Sequence, residues 1–143
     1  MTVKAILSVK GKHVFTVEPT ADLAAAAKLL SEKQIGALLV TGADKRVIGI
    51  LSERDIVRAL ASHGASALQM PLSEAMTRKV VGCSQSDTVS VIMERMTSGK
   101  FRHLPVIEQE RLVGVISIGD VVKHRLHEME QESSALKDYI QTA

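Results

Sequence analysis

The chain resembles itself. Displaced by 66 positions, Asp22-Leu23 falls on Thr88-Val89, Ala27 on Met93, Leu30 on Met96, Ile35 on Phe101, Leu38 on Leu104 and Val40 on Val106. One residue is then lost from the second copy. At a displacement of 65, Val47-Ile48-Gly49-Ile50-Leu51-Ser52 meets Leu112-Val113-Gly114-Val115-Ile116-Ser117, and Asp55-Ile56-Val57 meets Asp120-Val121-Val122. The lead-in segments correspond more loosely: Val14 pairs with Val80, and Ile6-Leu7-Ser8 resembles Ala75-Met76-Thr77 once a three-residue gap is allowed. A duplication restricts the fold severely. Whatever unit the first half forms, the second forms again, and a half of about 60 residues has only a marginal core of its own.

Period and punctuation give the unit. Asp22 and Thr88 are helix-capping residues, each followed by helical spacing: Leu23, Ala26, Ala27, Leu30 in one copy and Val89, Ile92, Met93, Met96 in the other. Short, partly β-branched apolar runs follow, Ile35 to Val40 and Phe101 to Ile107. A polar turn (Gly42-Ala43-Asp44-Lys45-Arg46, or Glu108-Gln109-Glu110-Arg111) separates each from a second run, so each pair reads as a hairpin. A last helix begins at Ser52 or Ser117. The expected class is α+β: a β-α-β-β-α unit used twice, packed sheet to sheet about a pseudo-twofold axis. Residues 1–65 make the first repeat with its lead-in, 66–125 the second, and 126–143 a helical extension.

Composition narrows the function. Phe15, Phe101 and Tyr139 are the only aromatics, which disfavours base-stacking platforms, and 18 basic against 16 acidic residues leave too little excess charge for a general polyanion binder. Nucleic acid is therefore not an expected partner. Nor is a membrane, because no apolar run approaches the ~20 residues that span a bilayer. Cys83 is the single cysteine, too few for a disulfide or a thiol-based zinc site. The chain reads as cytoplasmic.

Gly49-Ile50-Leu51-Ser52-Glu53-Arg54-Asp55 and Gly114-Val115-Ile116-Ser117-Ile118-Gly119-Asp120 share one signature: glycine, two apolar residues, Ser or Thr, two variable residues, Asp. With Arg102-His103-Leu104-Pro105-Val106 ahead of the second copy, the chain resembles the CBS-domain pair, the tandem module first recognised in cystathionine beta-synthase. The resemblance runs from about Ile6 to Arg125. It implies a regulatory module that binds an adenine nucleotide (AMP, ADP, ATP or NAD(H)) as a ligand and not as a catalytic cofactor. It also implies flat homodimers and a separate regulated protein. By that resemblance Asp55 and Asp120 hold ribose, Ser52 and Ser117 lie near phosphate, and Thr16, Val17, Ile35, Gly36, Ala37 and Pro105 belong to the pocket walls.

The Ser-x-x-Asp spacing has two readings. One is a capping box, in which Ser accepts a backbone N–H and the acid occupies the first turn, worth about 1 kcal/mol. The other uses the helix N-terminus to receive phosphate, with the carboxylate accepting both hydroxyls of a ribose. The copies are unequal. Arg54 can offer a guanidinium to phosphate where the second copy has Gly119, whereas Arg102 and His103 stand where the first has Gly36 and Ala37. Asp55 with Arg54 is the better-defined site.

No catalytic or metal-binding set is evident. His124 and His127 share a helix face but make only two ligands and read as solvated, and Lys10-Gly11-Lys12 lacks the glycines and Ser/Thr of a P-loop. Beyond Asp120 neither Gly nor Pro occurs, and Val122, Leu126, Met129, Ser133, Leu136 and Ile140 form a heptad seam. That seam either folds back over its own domain or packs on a second copy. A dimeric scaffold without a small-molecule ligand is the rival reading, and a nucleotide hydrolase or kinase stands below it.

Overall fold

The computed structural model describes residues 1–142. Helix α1 (Val3–Lys10) precedes a two-residue strand β1 (Thr16–Val17), helix α2 (Leu23–Lys33), strands β2 (Ala37–Thr41) and β3 (Val47–Ser52) and helix α3 (Glu53–His63). Two 3-10 turns, Gly64–Gln69 and Leu72–Glu74, lead to helix α4 (Val89–Gly99), strands β4 (His103–Glu108) and β5 (Arg111–Ser117) and helix α5 (Ile118–Thr142). The α+β repeat is present in both halves. The opening strand of the second copy shrinks to a single parallel bridge, Cys83 to Val106, where the first has β1 beside β2.

The duplication extends to detail. Asp22 and Thr88 each accept a hydrogen bond from the amide three residues on, and Gln34 and Lys100 end α2 and α4 in the left-handed conformation. Both hairpins carry a bulge at the same place, after Val40 and after Val106. The lost residue falls in the turn. Gln109 and Glu110 make it with φ of 52° and 66°, a two-residue turn of the kind Asn-Gly usually supplies.

Each half owns a separate core, and each core borrows from the other copy's lead-in. Val3, Ile6 and Leu7 of α1 pack with Ile92, Met96, Leu104, Val106 and Ile116 of the second half. Leu72 and Met76 pack with Leu23, Leu30, Leu38, Val40 and Leu51 of the first. The backbone repeats the exchange: Val3 N donates to Asp87 O and Val89 N to Met1 O, while Leu72 N donates to Ala21 O and Leu23 N to Met70 O. Full burial of Val3, Ile6 and Leu7 is worth roughly 1.5–3 kcal/mol apiece, so the crossing lead-ins tie the halves together. Leu39 and Pro105, equivalent by the repeat, are also both buried.

Helix α5 leaves this body. Val121 is its one buried residue, and from Met129 to Thr142 every residue is exposed. It does not fold back over its own domain. No helix among the described residues is long and apolar enough to cross a membrane.

Candidate functional site

The first signature places Ser52 at the end of β3 and Asp55 in the first turn of α3. Ser52 Oγ accepts from Asp55 N at 3.3 Å, and Asp55 Oδ2 accepts from Ser52 N at 2.9 Å and from Ser52 Oγ at 3.2 Å. The capping box is therefore present. It does not exhaust the carboxylate. Asp55 is 95 % buried, and among the described residues its Oδ1 is met only by Arg58 at 3.2 Å and, at the edge of hydrogen-bond reach, Thr77 Oγ1 at 3.5 Å. The Arg58 side chain is 71 % exposed, so its grip on Oδ1 is a weak surface pairing.

Asp55, Arg58 and Thr77 all line a cavity of about 490 Å³, within the range of small-ligand sites, roughly 300–1,000 Å³. Its walls come from both halves: Ser52, Glu53 and Arg54 from the α3 terminus, Thr77, Lys79, Val80 and Val81 from the second lead-in, and Arg102, His103, Pro105, Ser117, Ile118 and Gly119 from the second repeat. Five cationic side chains, Arg54, Arg58, Lys79, Lys100 and Arg102, face two carboxylates, Glu53 and Asp55. Among the described residues Arg54, Lys79, Lys100 and Arg102 make no ion pair. A concave wall with this surplus attracts anions, and the N-termini of α3 and α5 add positive potential.

His103 closes one side. A Cβ built on Gly36 would lie 3.3 Å from His103 Cε1, so the glycine is what lets the two strands' ends approach with the imidazole between them. Burial, followed by the nearby Lys10 ammonium, depresses the His103 pKa and keeps the ring neutral near pH 7, against opposing pulls from Asp120 and Glu53.

The second signature folds alike but ends differently. Asp120 Oδ2 accepts from Ser117 N at 2.8 Å and Ser117 Oγ at 2.9 Å, and Lys10 Nζ, from the end of α1, is bound to the same oxygen. Burial by itself would raise the Asp120 carboxyl, but the Lys10 ammonium and the Ser117 amide outweigh it and hold the group below the ordinary Asp range.

Of the residues singled out in the sequence, the cavity brings together Ser52, Arg54, Asp55, Gly36, Arg102, His103, Pro105 and Ser117. Asp120 is not in its wall. Neither are Thr16, which is exposed on β1, Val17, which packs on the first core, and Ala37, which opens β2. Ile35 lines a separate open groove with Ala27, Leu30 and Ile56 between α2 and α3. The places expected for Thr16 and Val17 beside Asp55 are taken by Thr77, Lys79, Val80 and Val81. Their signal lay in the three-residue gap that matches Ser8 with Thr77, and hence Lys10 with Lys79.

The two histidines of α5 differ in their surroundings. His127 is solvated as expected, but His124 is not: its side chain is 13 % exposed and Nε2 lies 3.3 Å from Glu128 Oε1. The helix drops it against the body, one turn before α5 becomes fully exposed. No cluster of three metal-ligating side chains occurs among the described residues. Cys83 is buried, as a small apolar residue, and burial, reinforced by Asp87, pushes its thiol up to about 11.

Comparison with known proteins bears on this geometry. The model of the CBS domain matches twice, over residues 3–62 and 72–127. The structure is similar to that of a CBS-domain containing protein from Agrobacterium tumefaciens, with 50 % identity, a TM-score of 0.85, and coverage of 87 % of this chain and 99 % of that one. A CBS domain protein of Pyrobaculum aerophilum complexed with AMP is 28 % identical, with a TM-score of 0.75 over 84 % of this chain and 89 % of its own. The CBS domain pair of protein MJ0100, in complex with 5′-methylthioadenosine and S-adenosyl-L-methionine, is 25 % identical, with a TM-score of 0.80 over 90 % and 98 %. The first curated relatives are longer than the stretch this chain matches. It spans 66 % of an uncharacterized 17.7 kDa protein of Acidianus ambivalens, 35 % identical over 77 % of this chain. It spans 58 % of a mitochondrial CBS domain-containing protein of Arabidopsis thaliana, 34 % identical over 81 % of this chain.

Proposed function

The chain belongs to the CBS-domain family, and from that membership we propose that it is a cytoplasmic regulatory module. It binds an adenine nucleotide between its halves and does not turn it over. The observation that carries this reading is the cavity itself, where a buried carboxylate with one loosely held oxygen stands among five cationic side chains. Asp55 Oδ1 exchanges Arg58 and Thr77 for the ribose hydroxyls, and Arg58, whose side chain is mostly solvated, turns to the phosphate. The adenine lies against Val80, Val81 and Pro105.

The ligands named for the structural neighbours share an adenosine and differ in charge. The cation surplus here favours the phosphorylated members over 5′-methylthioadenosine and over the positively charged S-adenosylmethionine. Titration calorimetry with AMP, ADP, ATP, NADH and S-adenosylmethionine tests it. Phosphorylated ligands should bind at least tenfold tighter, and more weakly as salt rises. Asp55→Asn should cost about 1–3 kcal/mol, the range for a lost charge-assisted hydrogen bond. Silence from all five at millimolar ligand, with a folded protein, would leave the scaffold reading.

Assembly belongs to the same proposal. The exposed end of α5, Met129 to Thr142, reaches about 21 Å beyond the body at 1.5 Å per residue, with Met129, Leu136 and Ile140 on its apolar seam at 54–65 % exposure. An isolated helix of that length is marginal in water. A second copy, seam to seam, completes it as a homodimer. Residues 126–143 thus form the assembly segment, and a separate target protein reads the ligand state.

A further inference from the structure

Resting on the nucleotide reading of the cavity, we propose that its ligand is an adenosine polyphosphate taken without magnesium. The row of phosphates runs from Asp55 in the first half to Lys100 and Arg102 in the second, and the protein's own cations neutralise it where a metal ion usually would.

Charge decides the phosphate number. Of the five cations in the wall, Arg58 alone is in an ion pair among the described residues, with Asp55. Arg54, Lys79, Lys100 and Arg102 are left against one unpaired carboxylate, Glu53. Like charges gathered in a concave wall repel one another. A terminal phosphate brings a charge of about −1.5 to −2 near pH 7, too little for these cations, and each phosphate ahead of it adds one more. A triphosphate matches the wall.

The arrangement gives those phosphates a path. At its start, Asp55 Oδ1 is met by Arg58 and Thr77, with Lys79 two residues beyond Thr77 and Arg54 beside Asp55 on α3. Gly36 joins the two halves: its carbonyl accepts from Glu53 N at 3.1 Å, and a Cβ built there would lie 3.4 Å from His103 Nε2. Arg102 precedes His103, and its carbonyl accepts from Ile118 N at 2.8 Å, which fixes the segment against the start of α5. Lys100 and Phe101 complete that wall. With the ribose on Asp55, the α-phosphate falls to Arg54 and Arg58, and the further phosphates fall to Arg102 and Lys100.

Magnesium on the phosphates works against this wall. The ion binds through phosphate oxygens and one or two carboxylates. Here the carboxylates are Glu53 and Asp55, the second already engaged at both oxygens. The metal would cancel part of the ligand's charge and stand among like charges itself.

Titration calorimetry of the full chain with AMP, ADP and ATP in EDTA, and with ATP in excess magnesium, tests the proposal. Exposed cations contribute little singly, so the gain expected is about threefold per added phosphate and about tenfold from AMP to ATP. Excess magnesium should weaken ATP by about threefold or more. In Lys100→Gln/Arg102→Gln, ATP should lose more than AMP, and the ratio between them should fall below about threefold. Salt gives a second measurement that needs no variant: from about 0.1 to about 1 M the Debye length falls from about 10 to about 3 Å, and the ratio should fall with it. AMP bound as tightly as ATP, ATP bound more tightly with magnesium than without, or a ratio that salt leaves unchanged overturns the polyphosphate assignment while the nucleotide reading stands. So does an unchanged ratio in a double variant that melts like the wild type. No binding of any of the three nucleotides at millimolar concentration overturns both.

Discussion

Gly114→Ala offers a direct test of the exchanged lead-ins, which bring Thr77 and Lys79 to the cavity. The new Cβ would lie 2.8 Å from Leu7 Cδ2 and 3.1 Å from Cδ1, across the boundary between α1 and β5. Carbon atoms in a packed core prefer about 3.5–4.0 Å, and Leu7 is 1 % exposed with no room to retreat. Overpacking of this kind costs about 1–3 kcal/mol, while replacing glycine stiffens the unfolded chain and returns about 0.4–1 kcal/mol. The net expectation is a loss of about 1–2 kcal/mol. The equivalent Gly49→Ala places its Cβ nearer still, 2.5 Å from Met76 Sδ. It should nevertheless cost less, because an unbranched thioether, 8 % exposed, can re-pack where a branched leucine cannot. Leu7→Ala alone removes a buried side chain at about 2–5 kcal/mol. Combined with Gly114→Ala it should cost about 1–2 kcal/mol less than the sum, since the clash disappears with the leucine. Urea unfolding of the four proteins measures this cycle. Additivity within about 0.5 kcal/mol, the behaviour of sites that do not touch, would show that α1 does not pack on β5.

Three titrating groups, Asp120, His103 and Cys83, carry the further outcomes. Because the Asp120 carboxyl is held low, its contribution to stability is complete above about pH 4 and disappears as pH falls through its folded value; thermal melts from pH 7 to 3 should therefore show a larger acid loss for wild type than for Lys10→Met, and equal losses would contradict the pairing. His103 is held below its ordinary value, so the unfolded chain takes the proton first as pH drops below about 6.5, and the wild type should lose stability there relative to His103→Gln. A phosphate brought beside the ring reverses that depression, which predicts proton uptake on AMP binding near pH 6, read as a dependence of the calorimetric heat on the buffer's ionisation enthalpy. Cys83, buried and pushed up to about 11, should react with a thiol-specific disulfide reagent at pH 8 only as fast as the protein opens; a rapid full-amplitude reaction in native buffer would be incompatible with its place in the core.

The repeat made most of the fold legible. Capping residues, apolar runs and turns lie where the matched copies put them, down to the residue missing from the second hairpin. What the pattern did not carry was which half each lead-in joins, because periodicity reports that Ile6, Leu7 and Met76 are buried without naming the surface that buries them. The difference between the lead-ins was also hidden. Leu72 to Lys79 contains helix formers as good as those of Val3 to Lys10; the pairing of Thr77 with Ile50, a tertiary contact, decides that one ends as a short turn and the other as a helix. Asp55 and Arg54 could be read from the signature alone. Lys79 and Arg58 could not, since each is an ordinary surface cation until the fold turns it toward the cavity.

The shared construction of the cavity also explains how occupancy could be felt beyond it. Asp55 belongs to α3 and the first half, while Ser117, Ile118 and Gly119 open α5 and belong to the second. A ligand bridging them therefore acts on the angle between the halves, provided it binds one setting more tightly than another. Helix α5 is continuous from that wall to Thr142. A rod of this length, about 38 Å at 1.5 Å per residue, moves its far end by about 3 Å when its start tilts by about 5°. Since the apolar seam lies on that far end, the helix that opens on the cavity wall also carries the surface through which, in the proposed homodimer, a second copy would feel the change. A ligand held by Asp55 and α3 alone would lack this leverage, so under the proposed function Arg102 and the start of α5 would serve signalling as well as affinity.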